Sequence, residues 1–158
     1  VSFAIKALGD HTARLADDLH PGQPLRLEGP YGRFELSRCD RRAQQIWIAG
    51  GIGITPFLAW LESLQGAPET APAAELHYCI RDHRTDAFVT RLHELCARLP
   101  SVRLQVHDSG RGDGLTSWNP GDVRSAEVWF CGPAGLAQTI RKILPRRLRF
   151  HQEAFAIR

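Results

Sequence analysis

Short apolar runs alternate with amphipathic stretches along most of this chain. The run Gln45-Ile-Trp-Ile-Ala-Gly50 reads as a buried strand, and residues 56–65 follow with helical spacing that turns Phe57, Leu58, Trp60, Leu61 and Leu64 inward. After a Pro- and Ala-rich loop at 66–74, residues 75–81 form a second predicted strand. Asp86 is placed to cap a helix that runs to Leu99 and buries Phe88, Leu92, Leu95 and Cys96; Pro100 stops it. A third strand is predicted at 102–107, a glycine-rich loop at 108–114, and a short helical turn at 115–118. A fourth strand at 126–131, a helix at 134–144 and a fifth strand at 148–156 complete the series.

Strands separated by helices imply a parallel sheet with right-handed crossovers. The expected architecture is α/β: a five-stranded, doubly wound parallel domain over residues 46–158, with strand order 3-2-1-4-5. Residues 1–45 differ in kind. Strands are expected at 2–8 and 23–28, with a short helix at 12–19 between them. Pro21-Gly22 and Gly29-Pro-Tyr-Gly32 mark turns. Two strands do not make a stable sheet alone, so this segment is expected to be the end of a larger β domain.

In open parallel sheets, ligands bind beyond the strand C-termini where strand order reverses. Two predicted strands end in glycine there. After the first, Gly50, Gly51 and Gly53 permit a tight turn and remove the Cβ atoms that would hold a pyrophosphate away from backbone N–H groups. Thr55 is expected to cap the following helix, and Pro56 suits its first position, where a missing N–H costs nothing. Pro56 also replaces the third glycine of the generic G-x-G-x-x-G fingerprint. The fourth strand ends in Cys131-Gly-Pro-Ala-Gly135. If these strands are neighbours, both turns line one crevice.

Composition narrows the classes. Of the 158 residues, 43% are hydrophobic and 23% charged, the balance of a globular domain, and no apolar run is long enough to span a bilayer. The chain starts at Val1 and contains no Met, so it is expected to be a piece of something longer. Four scattered cysteines and seven scattered histidines show no metal-ligand spacing, and a reducing compartment fits them. The formal charge of +3 is modest, but Arg141, Lys142, Arg146, Arg147 and Arg149 are crowded together. They read either as cations at a helix C-terminus beside a solvated loop, or as attraction to an anionic membrane or an acidic partner. No aromatics are interleaved with them, which argues against nucleic acid.

Five motifs in order carry a resemblance: Lys6-Ala-Leu-Gly-Asp-His-Thr12, Gly29-Pro-Tyr-Gly-Arg-Phe34, Gly50-Gly-Ile-Gly-Ile-Thr-Pro56, Cys131-Gly-Pro-Ala-Gly135 and Phe150-His-Gln-Glu-Ala-Phe155. Together they resemble the ferredoxin–NADP reductase superfamily, with the ferric-reductase-like, NADPH-oxidase-related branch nearest in look. The resemblance implies an FAD-binding antiparallel barrel, of which residues 1–45 would be the end, before an NAD(P)-binding domain. It also implies a haem-carrying membrane domain elsewhere in the chain, with this module on the cytoplasmic side of the membrane.

By the same resemblance, Gly9 and Thr12 would meet the FAD pyrophosphate, and Gly51, Gly53 and Thr55 that of NAD(P)H. Cys131, Gly132 and Pro133 would lie against the nicotinamide, Glu153 beside the hydride-transfer site, and Phe155 over the flavin ring. Cys131 and Phe155 have ordinary packing as the competing reading, Glu153 a solvated strand position, and the Gly9–Thr12 turn a simple helix cap by Asp10 or Thr12. Arg81, with Arg84, leans toward the 2′-phosphate of NADP, while Asp82 could instead serve the ribose hydroxyl of NAD. The family's first flavin motif, Arg-x-Tyr/Phe-Ser/Thr, is absent and is expected to precede Val1, so this length of chain is expected to bind FAD weakly or not at all. The implied activity is hydride transfer from NAD(P)H to FAD and onward single-electron transfer, ending on haem. The rival readings are the reductase component of an oxygenase system and a non-catalytic NAD(P)-sensing or docking module.

Overall fold

The computed structural model describes residues 3–7, 9–29, 31–115, 118 and 125–154. Two compact units divide the chain, Val1–Arg33 and Phe34–Arg158. In the first, one helix is formed, α1 (Asp10–Asp18), with none of its residues buried. The strands expected at 2–8 and 23–28 carry no ladder among the described residues. Phe3, Ile5, Leu25 and Leu27 are all exposed.

The second unit holds five parallel strands: β1 (Gln44–Gly50), β2 (Ala74–Ile80), β3 (Val102–Asp108), β4 (Ala126–Gly132) and β5 (Arg149–Ala154). Their order is β3-β2-β1-β4-β5, the expected 3-2-1-4-5, and every ladder is parallel. The chain leaves β1 toward one edge, then returns to its other side with β4. That reversal creates a crevice between β1 and β4 at their C-terminal ends.

Strand alternation sorts the core into two layers. Trp47 and Ala49 of β1, Leu76 and Tyr78 of β2, and Trp129 and Cys131 of β4 face helices α2 (Thr55–Leu64) and α3 (Val89–Ala97). Ile46, Ile48, Val128 and Phe130 face helix α4 (Ala134–Ile143). An aromatic group fills the first layer. Phe34 stacks on Trp60 at 5.0 Å and meets Phe57 and Trp129 edge-on at 5.3 and 5.2 Å. That packing is why the sheet unit begins at Phe34, ahead of the expected boundary at residue 46. The N-cap of α3 is Phe88 rather than the expected Asp86, which lies two residues ahead, accepts from the N–H groups of Phe88 and Val89, and also accepts from the Tyr78 hydroxyl at 2.8 Å.

A buried polar pair breaks the apolar pattern. His77 and His107, on β2 and β3, share a hydrogen bond of 3.0 Å, and Trp118 lies 4.3 Å from the His77 ring. Burial first, and the charge of His107 second, push the His77 imidazole down to about 3. In the unfolded chain it titrates near its ordinary 6.5. The stability linked to a neutral His77 is therefore fully present above that value and is lost as pH falls toward 3, by up to about 1.4 kcal/mol per pH unit. Urea unfolding followed from roughly pH 7 to roughly pH 4 should show this decline, and His77→Gln should flatten it. An equal slope in both proteins would exclude His77 as its source.

Candidate nucleotide crevice

β1 and β4 are neighbours in register, with Ala49 opposite Cys131, so their glycine turns emerge side by side. The approach is backbone on backbone. A Cβ on Gly53 would collide with the carbonyl oxygen of Cys131 and lie 2.6 Å from its carbonyl carbon and 2.9 Å from the Gly132 nitrogen. A Cβ on Gly132 would sit 3.0 Å from the Gly50 nitrogen, and one on Gly50 would lie 2.8 Å from both Leu136 Cδ2 and Pro133 Cδ. Gly51 is in the left-handed region at φ +53° with open space where its Cβ would point, a cradle free on its outer side.

The turn differs from expectation at its helix start. A 3-10 turn, Gly51–Ile54, precedes α2, and Thr55 is the first helical residue, not its cap. The Thr55 hydroxyl donates back to the Ile52 carbonyl at 3.2 Å and so stiffens the turn. Pro56 stands in the first turn of the helix, where no N–H donor is needed. On the other side, Pro133 precedes α4, and its carbonyl accepts from the N–H groups of Leu136 and Ala137. The N-termini of α2 and α4 thus open at adjacent strand ends, the arrangement that favours an anionic group.

The reactive candidates are placed unevenly. The Cys131 side chain is fully buried in the layer facing α2 and α3, so its carbonyl rather than its thiol borders the crevice. Burial, then the negative charge of Glu153, push that thiol up to about 12, so it stays protonated at neutral pH. The ordinary packing reading describes this side chain. Glu153 is exposed and sits directly opposite Cys131 in the β4–β5 ladder, at the crevice rim. Phe155 lies outside the described residues. In the first unit, Gly9 begins α1, and the Thr12 hydroxyl accepts from its N–H at 3.2 Å, the simple cap. Among the described residues no atom outside its own neighbours and helix lies within 4 Å of the Cβ position at Gly9.

At the ends of β2 and β3 the structure adds residues that sequence reading passed over. Asp108, nearly buried, accepts from the backbone N–H groups of His83 and Gly110, both at 3.0 Å. It also lies 3.6 Å from the side chains of His83 and Arg111. The available signal was an acidic residue at a strand end before a glycine, read only as part of a loop. Arg84 grips Asp82 with two hydrogen bonds of 3.2 Å, holding that carboxyl below its usual range. Arg81 is exposed and has no side-chain partner among the described residues.

No family model matches the chain. It is 33% identical over 129 residues to a phthalate 4,5-dioxygenase oxygenase reductase subunit of Pseudomonas putida, covering 80% of this chain and 38% of that protein. Among solved structures, a flavohemoglobin from Malassezia yamatoensis superposes with TM-score 0.67 at 20% identity, over 85% of this chain and 39% of that one. A ferredoxin-NADP+ reductase from Plasmodium falciparum gives 0.61 at 16%, over 79% and 58%. With its strand order and paired turns, the chain belongs to the ferredoxin–NADP reductase superfamily. It spans less than half the length of the curated relatives it matches.

The close approach at Gly53 sets a stability test. Gly53→Ala must push the two turns apart and should cost about 2 kcal/mol, or roughly 4–8 °C in Tm. Calorimetry checks this, with Gly66→Ala, which has open space for its Cβ, as the control.

Proposed function

We propose that this chain is the NAD(P)H-binding portion of a flavin-dependent reductase that passes electrons to an iron-containing acceptor. The observation that carries the reading is the crevice itself. Two strands meet at the reversal point so closely that only glycine fits at Gly53, with two helix N-termini beside it. NAD(P)H would supply a hydride, and FAD, where bound, would take it and release electrons singly.

The chain's own part is alignment. Gly50, Gly51 and Gly53 admit the pyrophosphate to the turn before α2, and Gly132 and Pro133 form the opposite wall. The buried Cys131 supports that wall without exchanging a proton. Glu153 stands at the rim, where a carboxylate can orient the carboxamide end of the cofactor. Gly9 and Thr12, at the start of α1, fit the FAD pyrophosphate. No side chain has to act as nucleophile, which suits chemistry carried by the cofactors.

For the nucleotide, NADP is favoured over NAD. Asp82 is occupied by Arg84, whereas the exposed Arg81 is available for a 2′-phosphate. For the acceptor, likeness to an oxygenase reductase subunit favours an oxygenase iron centre, and the flavohemoglobin fold suits a haem domain. A ferric-reductase-like parent, with membrane haem and this module on the cytoplasmic side, is the second reading and rests on the motif resemblance. Among the described residues no helix is long and apolar enough to cross a membrane.

Titration with NADPH and NADH, followed by nicotinamide fluorescence, tests the reading. NADPH should bind more tightly, and Arg81→Glu should weaken it about tenfold or more while sparing NADH. Failure of both nucleotides to bind would overturn the assignment.

A further inference from the structure

The cationic stretch at the end of α4 is not used by the nucleotide crevice. α4 starts at the glycine turn and runs away from it, so its C-terminus and the start of β5 lie at the opposite end of the sheet. There a groove of about 440 Å³ is lined by Arg141, Leu144, Pro145, Arg146, Leu148 and Phe150. The Arg141 guanidinium lies 4.1 Å over the Phe150 ring and donates to Gln152 at 3.2 Å, so it is held in a fixed orientation. Arg146 and the neighbouring Lys142 are exposed and, among the described residues, no carboxylate pairs with either of them or with Arg141. Among the described residues β5 is also the last strand of the sheet, paired with β4 on one side.

We propose that this groove and the open edge of β5 form a docking surface for an acidic, extended segment of a partner protein. Arg141 and Arg146, neither paired with a carboxylate among the described residues, flank a floor that is part apolar, and a fixed guanidinium suits carboxylate recognition better than a mobile one. The edge offers backbone N–H and C=O groups to an added strand, while the groove receives its alternate side chains. An anionic bilayer is the weaker fit. Leu144 is buried and the surface is concave, so it has no protruding apolar side chain to insert.

The test uses the 158-residue chain and a fluorescent peptide of alternating glutamate and valine long enough to span β5. Anisotropy should show binding at low salt that fades as salt is raised. Arg141→Glu should weaken it at least about tenfold. So should Arg146→Glu, an exposed residue of the groove lining between α4 and β5. Arg103→Glu, an exposed cation on the opposite edge strand β3, should change it little. A peptide with proline at alternate positions, which cannot pair with the strand, should bind at least about tenfold more weakly. The proposal is overturned by no peptide binding, by equal loss in the Arg103 variant, or by equal binding of the proline peptide. Sedimentation with phosphatidylserine vesicles in the absence of peptide binding would also overturn it, and would assign the surface to lipid.

Discussion

The structure depends on one steric constraint: the turn leaving β1 presses its backbone onto the backbone at the end of β4. A side chain at Gly53 would occupy the space of the Cys131 carbonyl, and one at Gly132 would crowd the Gly50 nitrogen. This contact fixes where α2 and α4 begin, and so aims two helix N-termini at one place. It also explains why Cys131 is buried. The strand end has to pass under the neighbouring turn, and its side chain is driven into the layer below.

That layer is built to hold the contact still. Phe34, Phe57, Trp60 and Trp129 pack as one aromatic group beneath the strands, and His151 of β5 stacks on Trp129 at 4.0 Å. At the opposite end of the sheet, the buried Glu127 takes a hydrogen bond from the Asp40 N–H at 2.7 Å and lies 2.8 Å from His151. β5 is thereby tied to β4 and to the segment before β1. The rim residue Glu153 inherits its position from this lower clamp. Among the described residues the indole N–H groups of Trp47 and Trp129 have no partner, a cost accepted for dense packing.

Much of this was legible in the sequence, because periodicity and glycine placement are local signals. Each strand of the sheet follows from an apolar run, two of them ending in Gly50 and Gly132, whereas the adjacency of the two turns was conditional on β1 lying beside β4. What was hidden depends on distant partners. Thr55 looks like a cap, but the extra 3-10 turn makes it donate backward to Ile52. Phe34 reads as part of the earlier segment until Trp60 and Trp129 are seen around it. Asp108 gains meaning only when β3 is set beside β2, and the His77–His107 pair exists only through that same register. The expected strands at 2–8 and 23–28 form no ladder among the described residues, where Phe3, Ile5, Leu25 and Leu27 stay exposed despite their regular spacing.

The central claim is that two backbone turns, far apart in sequence, hold one nucleotide. Chemical-shift mapping of the labelled chain with NADPH addresses it residue by residue. Amide signals of Gly51, Gly53 and Gly132 should move together and saturate at the same concentration. Shifts confined to one turn, or centred on the other end of the sheet, would contradict a shared site.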